Sequence, residues 1–206
     1  MKKKNQTGKN QRTERKPCLR LPEDPGIPEV HEKIETRSVL FRGRYLLLER
    51  LNLSLDGRKA GIREIVRVPD AAAVLPLDRD KTVHLVRQFR PAVNRVLLEI
   101  PAGLISKGES AGETAARECE EETGVRPRRL RRLITYAHAE GYSTGFITLF
   151  LGTDLEYTGS VQLDASEHLY PVRLPFQELI HKVDSGEIVD SKTILSTLLT
   201  REITAD

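Results

Sequence analysis

The sequence predicts an α+β fold in which a mixed sheet lies between helices, and three observations support this. Strand-like segments lie on both sides of one Glu-rich helix, and two short helices follow near the C-terminus. The strands show alternating or continuous apolar runs, whereas the first of the two C-terminal helices places apolar residues three and four positions apart. Because each helix has one apolar face to bury, the helices are expected to pack as layers on the sheet.

The first 36 residues are predicted to be a basic arm and linker, and residues 37–206 a single domain. Residues 1–20 carry eight Lys or Arg against Glu14 alone, although the whole chain has a net charge of only +3. An arm of this composition is either a solubilising terminus or a contact for nucleic acid or anionic lipid. The rest of the chain is net negative, which argues against nucleic acid as the main partner.

Cysteine content and hydropathy indicate the compartment. Cys18 and Cys119 are too few for a disulfide framework, so we expect a cytoplasmic protein. No apolar run reaches the roughly 18 residues that span a bilayer. The lysine-rich N-terminus lacks the apolar segment of a secretory signal. We therefore expect no membrane partner.

Turn and cap residues divide the domain into elements. The pair Asp56-Gly57 between two alternating segments predicts a β-hairpin turn. Two later strands are expected to be joined by a loop at about 139–145. Pro175 predicts the start of a helix, because proline fits the first turn, and Asp190 is expected to cap the last helix.

The Glu-rich helix has recognisable ends. Ser110 followed by Glu113 has the form of a capping box, which places the helix start at Ala111. Gly124 supplies the left-handed residue that commonly closes a helix. The segment therefore predicts a loop, a helix and a second loop.

Three acids share one face of this helix. At 100° per residue, Glu118, Glu121 and Glu122 fall within an arc of about 100°. Like charges at these spacings repel by a few tenths of a kcal/mol per pair. A cation bound between them would reverse that cost, and oxygen ligands favour Mg²⁺ first and Mn²⁺ second. A charged, solvated helix face is the alternative interpretation.

The glycines, an arginine and a further glutamate around this helix form a longer pattern. Residues 103–125, here called the signature segment, resemble the signature of the Nudix hydrolase family. The departure is Cys119, which stands where the family has a bulky aliphatic residue. Every fixed position of that signature is met, by Gly103, Glu109, Arg117, Glu118, Glu121, Glu122 and Gly124.

The resemblance implies the Nudix α/β/α sandwich and a metal-dependent site. It implies that Glu118, Glu121 and Glu122, with the backbone carbonyl of Ala102, bind Mg²⁺, or Mn²⁺ in its place. Glu121 and Glu122 are also expected to be catalytic. Arg117 can pair with a neighbouring acid and hold the loop against the helix, so its expected role is orientation. The residues expected to give structural support are Gly103, Glu109, Arg117 and Gly124.

A second resemblance lies ahead of the signature segment. The sequence RQFRPAV followed by LLEIPAG is similar to ADP-ribose pyrophosphatases, in which arginines meet the diphosphate. Arg87 and Arg90 are therefore expected to bind substrate, since a guanidinium matches phosphate oxygens. A polar hairpin face is the alternative for both. Glu99 is either a supporting acid or a strand-end surface residue. In this branch the N-terminal strands, here residues 37–68, pair across a homodimer.

The loop at 139–145 departs from that branch, which usually carries a proline and then a glutamate there. Glu140 stands at the position of the proline, and Gly145 at that of the loop acid. A general base needs reach and a suitable pKa rather than a fixed sequence position. Glu140 is therefore the candidate base and His138 the alternative.

We expect Mg²⁺-dependent hydrolysis of a nucleoside diphosphate linked to a second group. ADP-ribose, giving AMP and ribose 5-phosphate, is the first candidate, and GDP-mannose or another sugar nucleotide the second. The other interpretations are a nucleoside triphosphate or RNA 5′-end pyrophosphohydrolase, a non-catalytic Nudix-like binding module, and a structural protein with an acidic surface helix.

Overall fold

The computed structural model describes residues 32–159, 161 and 168–204. Most of the predicted basic arm, residues 1–31, lies outside this range, but its last five residues do not. They belong to the first strand, which begins at Glu32, and the division predicted at residue 37 stays a prediction. The elements are β1 (Glu32–Arg42), β2 (Leu47–Leu55), β3 (Arg58–Arg67), β4 (Ala71–Pro76), β5 (Thr82–Arg90), β6 (Arg95–Glu99), β7 (Ala102–Leu104), α1 (Ala111–Thr123), β8 (Val125–Ala137), β9 (Phe146–Tyr157), β10 (Leu169–Pro175), α2 (Phe176–Asp184) and α3 (Ser191–Thr204).

The N-terminal strands form an antiparallel sheet in the order β1-β2-β3. Asp56 and Gly57 join β2 to β3 with φ angles of 49° and 76°, as the hairpin prediction requires. Every residue of β1 is exposed. This sheet therefore offers a long, open strand to solvent.

The rest of the domain contains a four-stranded sheet, β7-β4-β9-β8, and a three-stranded sheet, β10-β5-β6. Strands β4 and β9 run parallel and the other pairs antiparallel, which confirms the predicted mixed sheet. The loop between β8 and β9 lies where the sequence places it.

Strand β4 is buried on both faces, and this fixes the layers. Ala72 and Val74 pack with Ala115 and Cys119 of α1. Leu75, on the other face, joins a core that includes α2 and the three-stranded sheet. An apolar strand covered on both sides is typical of the middle layer of such a domain. The α/β/α sandwich is therefore confirmed.

The helix ends follow their local sequence. Ser110 caps α1 through a complete capping box with Glu113, and Gly124 closes the helix at φ 72°. Asp190 caps α3, because its Oδ2 accepts from the backbone N of Thr193 at 3.0 Å. None of these helices combines the length and apolarity needed to cross a bilayer.

Candidate active site

The signature segment begins inside the four-stranded sheet. Strand β7 pairs with β4, with Ala102 beside Ala73 and Leu104 beside Ala71. The chain then leaves the sheet, and the backbone N of Ile105 donates to the carbonyl of Asp70 at 2.9 Å. The start of the loop is therefore held by sheet hydrogen bonds before α1 begins.

Gly103 allows α1 to approach this strand closely. A Cβ at that position would lie 1.9 Å from Oε1 of Glu118 and 2.1 Å from its Cδ. Real Cβ atoms never come so near, so the Glu118 carboxylate fills the space that any other residue would take. This glycine places a carboxylate directly against the backbone of Ala102 and Gly103.

Glu122 meets the same stretch of backbone one helical turn later. It is only 5% exposed, and its Oε2 accepts from the backbone N of Ala102 at 3.2 Å. Glu118 and Glu122 therefore both lie against the backbone of Ala102 and Gly103. The two acids and the adjacent Ala102 carbonyl gather oxygen ligands on one side of β7.

Arg117 joins the loop to the helix. Its Nε and Nη2 donate to the two oxygens of Glu109 at 2.8 and 3.0 Å. Its Nη1 donates to Glu118 Oε1 at 2.9 Å and to Glu121 Oε2 at 2.8 Å. Arg117, and after it the Thr114 hydroxyl, lower the pKa of Glu109 to about 2. The same carboxylates raise the pKa of Arg117, Glu109 above all. Fixed charges therefore set the loop geometry.

The donor chemistry of this site fits a hard divalent cation. Within residues 32–159, 161 and 168–204, no three His, Cys, Asp or Glu side chains form a metal-binding group. In this structure the positive charge beside Glu118 and Glu121 is that of Arg117. The cradle that Gly103 leaves for the Glu118 carboxylate lies next to the Ala102 carbonyl, and carboxylate plus carbonyl oxygen is the set that Mg²⁺ and Mn²⁺ prefer.

The two arginines predicted to bind substrate are separated by the strand that carries them. Successive side chains of a strand point to opposite faces, so Arg87 and Arg90, three apart in β5, face opposite ways. Arg87 is exposed. Arg90 donates from Nε and Nη2 to Glu99 at 2.8 and 2.7 Å. Glu99, Asp190 and Glu122 all contribute to a raised pKa of Arg90, Glu99 most. Arg90, unlike Arg87, therefore lies near the signature helix.

The loop of residues 138–145, here called the hairpin loop, is held by backbone hydrogen bonds and by polar side chains such as Thr144, whose Oγ1 accepts from Val68 N at 3.3 Å. The backbone N of Val66 in β3 donates to Tyr142 O at 2.7 Å, and Thr144 N donates back to Val66 O at 3.1 Å. Glu140, the candidate base, is exposed at a turn, and among the described residues it makes no hydrogen bond or ion pair. Its role stays a prediction.

His138 is fixed more firmly than Glu140. Its Nδ1 lies 3.0 Å from the carbonyl of Gly145, so Nδ1 carries the proton and donates it, which leaves Nε2 as the basic nitrogen. A Cβ at Gly145 would lie 2.7 Å from both His138 Cε1 and Val68 Cγ2. A side chain at this position, where the ADP-ribose branch usually has an acid, would therefore require His138 or Val68 to move.

Asp70 was missed by the sequence analysis. Its carbonyl accepts from Ile105 N at 2.9 Å, and its Oδ1 accepts from Phe146 N at 3.0 Å. It therefore ties the start of the signature loop to the end of the hairpin loop. A lone Asp after a proline resembles an ordinary turn residue, and only the sheet pairing shows that both loops meet it.

The fold and the signature segment together define a class of enzyme, the pyrophosphohydrolases. The chain belongs to the Nudix hydrolases, since it matches the NUDIX domain family over residues 67–194. This confirms the family predicted from the signature segment and sets aside the interpretations as a binding module or a structural protein.

Relatives and a solved structure agree with this assignment. The chain is 32% identical over 168 residues to an ADP-ribose pyrophosphatase of Bacillus subtilis (strain 168), covering 81% of this chain and 91% of that protein. It is 29% identical over 167 residues to a GDP-mannose pyrophosphatase of Citrobacter koseri, covering 73% and 85%. A crystal structure of an ADP compounds hydrolase has the same fold, with a TM-score of 0.73, 24% identity, and coverage of 84% and 94%.

Proposed function

We propose that this enzyme hydrolyses the pyrophosphate bond of a nucleoside diphosphate linked to a sugar, and that ADP-ribose is its substrate, giving AMP and ribose 5-phosphate. The observation that carries the proposal is that two acids, Glu118 and Glu122, lie against the backbone of Ala102 and Gly103. The similarity to the Bacillus subtilis ADP-ribose pyrophosphatase supports the choice of substrate.

Glu118, Glu121, Glu122 and the Ala102 carbonyl would bind Mg²⁺, with Mn²⁺ as a substitute. When bound, the metal supplies positive charge against the diphosphate and lowers the pKa of water. Glu118 and Glu122 are held against β7, so their carboxylates are already oriented before the substrate binds. Arg117 keeps the acids of the helix at their positions through its contacts to Glu118 and Glu121.

Arg90 and Glu140 complete the proposed site. Arg90 offers the part of its guanidinium that faces solvent, since its side chain is 40% exposed. Glu140 would accept the proton of the attacking water, because it is an exposed carboxylate on a loop at the same end of the sheet as the signature loop. His138 is the alternative base through Nε2. Arg87 remains a predicted contact that would have to act from the other face of β5.

GDP-mannose is the second candidate substrate, because a GDP-mannose pyrophosphatase matches this chain over most of its length. Nucleoside triphosphates and capped or triphosphorylated RNA ends remain as further substrates to test. The basic arm suits a polyanion, but residues 1–31 lie outside the described structure.

We propose further that two copies of the chain pair through the N-terminal sheet in the cytoplasm. Strand β1 is exposed along its whole length, and the sheet presents Phe41 at 58% and Ile62 at 49% exposure. Apolar groups on an open strand favour pairing with another chain. Light scattering at several concentrations is expected to give the mass of a dimer for the wild type and of a monomer for Phe41→Glu. A monomeric wild type would refute this proposal.

The test of the function is the release of AMP from ADP-ribose, beside GDP-mannose, ATP and 5′-triphosphorylated RNA, with and without Mg²⁺. We expect ADP-ribose to be the best substrate and turnover to require the metal. Preference for GDP-mannose or ATP would overturn the choice of substrate. Unchanged activity in the presence of a chelator would overturn the metal assignment.

A further inference from the structure

A network of charges lies at the end of β6, just ahead of the signature segment, and is formed by Arg90, Glu99, Asp190 and Lys192. Glu99 is 1% exposed and accepts both hydrogen bonds of Arg90, at 2.8 and 2.7 Å. Lys192 Nζ donates to Glu99 Oε2 at 3.0 Å and to Asp190 Oδ1 at 2.5 Å. Two cations and two carboxylates thus alternate through the network.

The balance of charge keeps Glu99 ionised although it is buried. Burial opposes the charged form, but Arg90 and Lys192 outweigh it, and the pKa of Glu99 falls below its ordinary value. A bidentate contact between guanidinium and carboxylate fixes direction as well as distance. The edge of Arg90 formed by Nε and Nη2 is therefore held, while 40% of its side chain stays exposed.

The network also anchors the strand end that leads into the active site. The backbone N of Ile100 donates to Oγ1 of Thr193 at 2.9 Å. That hydroxyl donates to Asp190 Oδ2 at 2.6 Å. Ile100 precedes Pro101 and Ala102, so the N-terminus of α3 supports both Arg90 and the backbone that carries the Ala102 carbonyl.

We propose that Glu99 is a positioning residue for the reaction: it holds the Arg90 guanidinium in one orientation toward the diphosphate, and Lys192 completes the charge balance around the buried Glu99 carboxylate. The inference rests on the proposed function in one respect, that Arg90 contacts the diphosphate. Glu99 itself does not touch substrate. An ion pair that only stabilised the fold would act on stability and not through Arg90.

A double-mutant cycle tests the proposal, with Glu99→Gln, Arg90→Gln and the double variant assayed on ADP-ribose and Mg²⁺. Glu99→Gln is expected to raise KM about tenfold, the worth of one charged hydrogen bond, with a smaller change in kcat. In the Arg90→Gln background the second substitution is expected to leave KM unchanged, because its target is gone. Multiplicative effects on KM would overturn the proposal. Arg95→Gln, an exposed neighbour on β6, is the matched control and should leave KM unchanged.

A second readout does not need activity. In ¹⁵N spectra the Nε–H of Arg90, identified by its loss in Arg90→Gln, is expected to give a slowly exchanging signal that exchanges faster in Glu99→Gln, because a neutral amide accepts more weakly than a carboxylate. Glu99→Asp keeps the buried charge but is too short for both hydrogen bonds, so it serves if the Gln variant does not fold, with the same expected result. A signal that exchanges as slowly in either variant as in the wild type refutes the positioning role of Glu99. A wild type that shows this signal but does not hydrolyse ADP-ribose contradicts the proposed function instead, and the cycle is then run on the best substrate of the panel.

Discussion

The signature loop and the hairpin loop leave the same end of the four-stranded sheet, and they are held in different ways. Side-chain charges hold the signature loop, with Arg117 contacting Glu109, Glu118 and Glu121. Backbone hydrogen bonds to Val66 hold the hairpin loop, together with side-chain hydrogen bonds within the loop such as that between His138 and the Gly145 carbonyl. In the signature loop, the identity of the charged residues therefore determines the chemical site. In the hairpin loop, the contacts determine the shape of the loop but do not determine which residue is the base.

The largest effect on activity is expected from a substitution of Glu122 in the signature segment. Glu122→Gln keeps the size of the side chain and an oxygen that can accept from Ala102 N, but it removes the charge. We expect turnover of ADP-ribose to fall about 10²–10³-fold, as on losing one preorganised electrostatic contact. Glu120→Gln, on the same helix and paired only with Arg126 among the described residues, is the matched control. Equal activity in the two variants would contradict the role of Glu122.

Gly103→Ala tests the close approach of α1 to β7. The new Cβ would overlap the Glu118 carboxylate and displace it by about 1 Å or more, which is expected to lower turnover about 10²-fold. Gly112→Ala is the control, because a Cβ there meets its nearest atom at an ordinary 3.7 Å. Steady-state kinetics of both variants provide the comparison, and wild-type turnover in Gly103→Ala would show that the contact is unimportant.

Glu140→Gln asks whether the hairpin loop contributes chemistry. If Glu140 is the general base, turnover falls about 10²-fold, with KM nearly constant. His138→Gln is measured beside it. A loss confined to the His138 variant would transfer the role to Nε2 of that ring, and no loss in either would remove the base from this loop.

Gly145→Ala tests the shape of the hairpin loop. The added methyl would lie 2.7 Å from His138 and Val68, and such overpacking costs about 1–3 kcal/mol of unfolding free energy. Gly141→Ala, in the same loop with no atom within 4 Å of the new Cβ, should be nearly neutral. Urea unfolding measures the free energy of unfolding of the two variants. Equal stabilities would mean that the loop adapts.

The smallest expected effect is on pH dependence. The pKa of Glu109 is about 2 in the folded protein, against an ordinary value of 4.5, because Arg117 and Thr114 stabilise its charge. Its contribution to the free energy of unfolding is therefore complete above about pH 4.5 and is lost as the pH falls toward about 2. The stability difference between wild type and Glu109→Gln should shrink across that window. A constant difference would contradict the pairing with Arg117.

The parts of the fold that depend on neighbouring residues were predictable from the sequence. The capping box of Ser110 and Glu113 and the left-handed Gly124 are local features, so the bounds of α1 followed directly. The acid face of α1 followed from helical geometry alone. A pairing of Arg117 with a neighbouring acid was expected from the signature, but not that Arg117 contacts Glu109, Glu118 and Glu121 together.

Contacts between distant segments were not predictable in the same way. Glu99 meets Lys192 across 93 positions of sequence, and no pattern near either residue indicates the other. The overlap at Gly103 depends on where β7 lies in the sheet. The separation of Arg87 and Arg90, in contrast, was available from strand alternation once β5 was recognised as a continuous strand.

The central claim is that the acids of α1 bind a divalent metal beside the Ala102 carbonyl. Titration with Mn²⁺, followed by electron paramagnetic resonance of the free ion, tests it without any substrate. We predict saturable binding to the wild type and to Glu120→Gln, and weaker or absent binding to Glu122→Gln. Equal Mn²⁺ binding by all three proteins, or none by the wild type, would contradict the account.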